Sequence, residues 1–216
     1  MNKTIRAITA VIGVLFAISG MNHGIFEVMQ GNTPTSGYFI QSIGEDMQMW
    51  EYGTQDALTI MPTFLSAGIA TVIVSVAIMI WSIWFLDTHH GASIFLLLFI
   101  ALFLVGGGVA QVIFFLLAWS FATRINQSLS WWQALLSKPV RKSLSKIWRW
   151  ALLFGTIVIL LGLAIATFGY LPSIDDADLL LSILGMLILS GFGLFLLSFI
   201  AGIANDIEQR EQRHTI

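Results

Sequence analysis

The chain contains no cysteine among its 216 residues, which excludes thiol catalysis, disulfides and cysteine-based metal sites. Charge is scarce as well. Charged residues make up 10% of the chain, against roughly 25% in a soluble domain. So few charges cannot cover a water-facing surface of this size. The net charge is −2, so the basic surface that nucleic acid requires is missing, and no nucleic-acid partner is expected. What the chain has in quantity is apolar: 57% of its residues are hydrophobic and the mean hydropathy is +0.86. The partner these residues imply is a lipid bilayer.

Spanning the hydrocarbon takes about 20 apolar residues. Five stretches qualify: Ile5 to Met21, Leu58 to Leu86, Ser93 to Ala122, Ile147 to Leu171, and Leu179 to Ala204. They are apolar on all sides and lack the alternation of a barrel strand, so they read as helices. The fold class expected is therefore all-α: a single polytopic transmembrane bundle of about five spans in a plasma (inner) membrane. The second and third runs each reach about 30 residues, or about 45 Å as helix, which tilt or protrusion accommodates. Pro62 near the start of the second run is a candidate kink. Gly106-Gly107-Gly108 divides the third run. It reads as close helix packing in preference to a hinge or re-entrant turn. Gly162 with Ala166, Ser198 with Gly202, and Gly185, Gly191 and Gly193 form further small faces. They suit packing within the bundle, a homo-oligomer or a partner subunit.

The N-terminus begins like an export signal, with Lys3 and Arg6 before an apolar run and Ala17-Ile18-Ser19 as a cleavage-like patch. A retained first helix is the simpler reading. The polar segments separate by charge. Asn22 to Asp56 carries five acidic residues and no lysine or arginine, whereas Arg124 to Arg149 carries Arg124, Lys138, Arg141, Lys142, Lys146 and Arg149. Basic loops stay in the cytoplasm, so this loop is expected inside and Ile174 to Asp178 outside. Five spans would then leave Lys3 and Arg6 outside, against the same rule. A hairpin at the glycines would put all ten basic residues inside, but its halves, of about 13 residues, are short for spanning.

Two interfacial segments are expected. Ile40, Ile43, Met47 and Trp50 recur at helical spacing, which predicts a short interfacial helix over 38–50. The segment 128–146 and its flank combine Trp131, Trp132, Trp148 and Trp150 with Lys138, Arg141, Lys142 and Arg149. These are expected to form a lipid-interface anchor.

The residues that could carry chemistry lie around the end of the first run. Ser19, His23 and Glu27 are four apart and share one helical face, with Asn22 beside them. His23 and Glu27 could share a proton or hold a metal between them. A first span ending before His23 would leave the pair in interfacial water, and that is the reading favoured. Gln111 is the clearest polar side chain deep in an apolar run. It either lines a cavity or bonds across helices. His89 and His90 emerge on the other side in an alternating topology, so one shared histidine cluster is not expected, and no metal site is assigned. The cofactor is unknown. Gly20-Met21-Asn22-His23-Gly24-Ile25-Phe26-Glu27, followed by Gly31-Asn32-Thr33-Pro34-Thr35, is similar to small bacterial polytopic membrane proteins, a resemblance that implies no activity. Three functions stay open. The first is binding or transport of a small molecule or ion at Ser19, Asn22, His23, Glu27 and Gln111. The others are a membrane-embedded enzyme using the His/Glu pair and a non-catalytic accessory subunit.

Overall fold

A computed structural model describes residues 1–214. Eight helices and two short strands occur among the described residues: α1 (Lys3–Met29), β1 (Phe39–Ile43), β2 (Gln55–Leu58), α2 (Phe64–Trp84), α3 (Gly91–Val105), α4 (Val112–Ala122), α5 (Ser130–Leu135), α6 (Lys138–Leu144), α7 (Trp148–Phe168) and α8 (Ala177–His214). Four of them, α1, α2, α7 and α8, are long and apolar enough to cross a membrane. The tail from Asp206 continues to Thr215 and Ile216, which lie outside the described residues.

Helix α1 is the axis of the bundle and the most enclosed of the four. Its buried residues include Ile5, Ile8, Ile12, Phe16, Ser19, His23 and Glu27, at the three- and four-residue spacing that makes one face. Helix α2 packs beside it, burying Gly68, Thr71, Ser75, Ile78 and Ser82. Small and hydroxyl side chains on this face let the two backbones approach closely. Pro62 does not kink α2. It precedes the N-cap Thr63, which closes a reciprocal capping box with Ser66.

The expected single helix over 93–122 is two helices. Helix α3 stops at Gly106 and α4 begins after Gln111. Gly106 and Gly108 have φ of +130° and +88°, conformations that side chains other than glycine's rarely adopt. The chain reverses there, and both outer ends of the α3–α4 hairpin lie at one end of the bundle: Asp87 pairs with Arg6 at 3.0 Å, and Ile125 accepts a bond from the Asn2 amide. The turn and close packing both call for the glycines: a Cβ on Gly107 would overlap the Leu102 side chain.

The helix expected over 38–50 is strand β1 followed by turns over 44–50 instead. β1 pairs antiparallel with β2, Phe39 opposite Leu58 and Ile40 opposite Ala57. Ile40 and Ser42 point inward while Phe39 and Gln41 stay exposed, the alternation of a half-buried strand. Four apolar residues at helical spacing could not outweigh β-branched isoleucines followed by Gly44. The hairpin caps the bundle end where α1 finishes. Ile60 donates to the Leu104 carbonyl and Trp50 donates its indole N–H to the Ala166 carbonyl.

The ends of the bundle thus differ. One gathers the start of α1, the α2–α3 and α4–α7 connections and the end of α8, and all ten lysines and arginines belong to these segments. The other gathers β1, β2, the glycine turn and the α7–α8 connection. Its connecting segments carry Glu45, Asp46, Glu51, Asp56, Asp175, Asp176 and Asp178 and no basic residue. We call them the basic end and the acidic end.

Helix α1 has no cap from its own N-cap residue, Asn2. Asp206 supplies one from α8. Its two carboxylate oxygens accept the Thr4 and Ile5 amides at 3.0 Å each, where negative charge also complements the helix dipole. Asp206→Ala is expected to destabilise the fold by about 1–3 kcal/mol, with Asp206→Asn in between, measured as thermal or denaturant unfolding in detergent.

Candidate functional site

Helix α1 continues well past Met21, to Met29, and this settles the depth of its polar stripe. His23 is 7% exposed and Glu27 0%. Interfacial water does not surround them, because the β hairpin folds down over this end of α1. The two side chains share a face but not a hydrogen bond. The Glu27 carboxyl contacts the Ser42 hydroxyl from β1 and, at 3.3 Å, the Thr71 hydroxyl from α2. Each hydroxyl also reaches a carbonyl of the glycine turn, Ser42 to Gly106 and Thr71 to Val105. A Cβ on Gly106 would overlap the Glu27 carboxylate. One carboxyl group therefore ties α1, α2, β1 and the glycine turn together.

His23 faces the other side of the same turn. A Cβ on Gly108 would stand 2.6 Å from its Nε2. The His23 ring borders a cleft of about 490 Å³ between α1, α4 and the α7–α8 pair. Ser19 and Gln111 line its buried part. Phe16, Phe114, Ile159, Leu163, Leu184 and Ile188 form apolar walls, and Tyr52, Gln55 and Asp56 stand at the acidic-end mouth. Gln111 is 4% exposed. Neither its Nε2 nor its Oε1 has a hydrogen-bond partner in the protein, and the same holds for His23 Nδ1. Buried polar atoms are nearly always paired, and these three belong to two residues that line one cleft, which makes it the candidate site.

The sequence-derived set divides on this geometry. Ser19, His23 and Gln111 converge on the cleft. Glu27 lies one turn along α1 in its own hydroxyl pocket. Asn22 is turned away and donates to the Thr167 hydroxyl of α7 at 3.2 Å. His89 and His90 stack on each other at the basic end, 4.4 Å between centroids, far from His23 in the fold. The interfacial set also divides. Trp131, Lys138, Lys142 and Arg149 are exposed, and the Arg149 guanidinium lies over the Trp148 ring at 5.3 Å. Trp132 and Trp148 pack partly against the core. Arg141 is buried and bonds Glu208 and Glu211 of α8 and the Gln133 and Leu136 carbonyls. A carboxylate pair on α8, 67 and 70 positions away in sequence, holds it inward. Among the glycines of the small faces, Gly202 receives Ile8 and Gly191 receives Ile159, while Gly185 and Gly193 meet nothing within 4 Å.

Ser42, Thr71 and the mouth residues escape a sequence reading. The signal for Thr71 was present: Thr71, Ser75 and Ser82 recur on one face of an otherwise apolar helix. No family model matches the chain, and no curated protein and no solved structure matches it either.

Two predictions test this geometry. Glutamine retains the shape of Glu27 and can both donate and accept, so Glu27→Gln should stay within about 1 kcal/mol of the parent. Glu27→Ala leaves a cavity and leaves each buried hydroxyl with its carbonyl partner alone, and should cost about 2–4 kcal/mol in detergent unfolding. At the mouth, the Tyr52 hydroxyl donates to Asp178 at 2.6 Å. That bond and the carboxylate's charge push the phenol up to about 12. The contact is intact below the ordinary tyrosine value of about 10 and is lost as pH rises through about 12. Ultraviolet titration should show one late phenol among the three tyrosines, returned towards ordinary behaviour by Asp178→Asn.

Proposed function

We propose that the protein is a multi-pass protein of the plasma (inner) membrane that binds a small molecule in the cleft bordered by Ser19, His23 and Gln111. Helices α1, α2, α7 and α8 cross the bilayer. The α3–α4 hairpin enters from the basic side and turns back at Gly106–Gln111 beneath the β hairpin. At about 1.5 Å per residue, α3 and α4 reach about 22 Å and about 16 Å, short of the roughly 30 Å hydrocarbon core. A non-helical turn at that depth is tolerated where protein covers it or a cavity adjoins it. Glu27, Ser42 and the cleft meet that condition. Both chain ends and all ten basic residues then face the cytoplasm, and the conflict between Lys3 and the basic loop disappears. Trp131, Lys138 and Lys142 belong to the cytoplasmic headgroup zone in this arrangement.

The observation that supports a binding function is that His23 and Gln111, whose Nδ1 and amide are buried without a partner, line an apolar-walled cleft. Sites for small molecules have this make-up, a mostly apolar lining with few convergent polar groups, and volumes of about 300–1,000 Å³.

The cysteine-free chain suits labelling. In intact cells an impermeant thiol reagent should modify Asp176→Cys and spare both Ser137→Cys and His89→Cys. Position 89 decides the matter, because a chain of five simple spans exposes it outside; its labelling there would sink the hairpin topology. For the cleft, a small molecule should leave the purified protein on solvent extraction and be lost from Gly162→Leu, which narrows the space. Equal recovery from both proteins would remove the cleft as its site.

A further inference from the structure

We infer that the cleft's ligand is an uncharged amphiphile whose polar end both donates and accepts hydrogen bonds, of the carboxamide or hydroxy-carbonyl class, on an apolar body. This rests on the cleft being a binding site. Three features carry it.

The first is the hydrogen-bonding pattern. Gln111 presents an unpartnered donor, Nε2, and an unpartnered acceptor, Oε1, and His23 Nδ1 adds a third unpartnered atom beside the same cleft. A partner that only accepts leaves Oε1 orphaned, and one that only donates leaves Nε2 orphaned. An amide, or a hydroxyl next to a carbonyl, fills both.

The second is charge. No lysine or arginine lines the cleft, and the segments of the acidic end carry none. An anionic head would enter a negative potential with no counter-ion. A cationic head would find one carboxylate in the lining, the exposed Asp56 at the mouth, and none beside the buried Gln111. Glu27 is already engaged by Ser42 and Thr71 behind the glycine turn. Burying an unpaired charge is costly, whereas a neutral head satisfied by hydrogen bonds enters without that penalty.

The third is the wall. Phe16 and Phe114 stack at 4.6 Å and, with Ile159, Leu163, Leu184 and Ile188, give the body of the molecule an apolar bed.

The test holds the tail constant and varies the head. Decanamide, decanoate and decylammonium are compared at equal membrane-bound concentration, with the full chain in zwitterionic lipid nanodiscs and thermal stability as the readout. Decanamide should raise the unfolding temperature, and Gln111→Leu should weaken its apparent affinity about tenfold. Without ligand, Gln111→Leu should unfold at or above the parental temperature, since it removes polar atoms that the fold leaves unpaired. A ligand-free Gln111→Leu that unfolds well below the parent would show the amide to be structural and overturn the inference. Stronger binding of decylammonium, lost in Asp56→Asn, or of decanoate would overturn the uncharged head and leave the cleft standing as a binding site. If no compound shifts the parent, and Gly162→Leu behaves as the parent does, both the inference and the cleft reading fall.

Discussion

The Glu27 side chain is fully buried, and a buried carboxyl must find its hydrogen bonds within the protein. Here they come from Ser42 on β1 and Thr71 on α2, and both hydroxyls also reach the glycine turn. Those contacts fix where α3 ends. With α3 ended, Gln111 starts α4 beside the cleft and Gly108 sits against His23. The site is therefore a consequence of the carboxyl's requirements. The four contacts call for more protons than two hydroxyls can give, which is why an amide at position 27 is a closer mimic of this knot than an apolar side chain.

The helices were legible because their signal is local. An unbroken apolar run needs no partner to be recognised, and α1, α2, α7 and α8 fall where hydropathy puts them, although α1 runs eight residues past Met21 and α8 ten past Ala204. The break in the third run was not legible. Gly106-Gly107-Gly108 is compatible with tight packing and with a turn, and what decides is a carboxylate 79 positions earlier in the chain, together with Ser42 and Thr71. The β hairpin was lost for a related reason. Ile40, Ile43, Met47 and Trp50 satisfy a helical spacing by number, but the pairing partner, Gln55–Leu58, lies beyond a loop that local pattern cannot bridge. Ser19, His23 and Gln111 were found because polar atoms in apolar runs stand out. Their convergence was not, since it depends on the turn. The burial of Arg141 was not legible because its partners, Glu208 and Glu211, belong to the far end of the chain.

Charge separates along the same axis as the fold. Ion pairs occur at the basic end, where Arg6 meets Asp87 and Arg141 meets two glutamates. The bond between Arg6 and Asp87 holds that carboxyl below its usual range. At the acidic end, Asp178 instead accepts a phenol proton from Tyr52. Counter-charge thus holds Asp87, Glu208 and Glu211 at the basic end, where backbone amides hold Asp206, and a neutral phenol holds Asp178 at the acidic end. A cleft opening at the second end inherits its bias against anions.

The Asp206 cap on α1 joins residues about 200 positions apart, and this orders events in time. At about 5–20 residues per second, a ribosome needs on the order of 10–40 s to deliver Asp206 after α1 has emerged. Throughout synthesis the first helix carries bare amides at its N-terminus, and the last helix made is the one that covers them. A product that stops short of Asp206 lacks the two oxygens that accept the Thr4 and Ile5 amides, and leaves that end of α1 open.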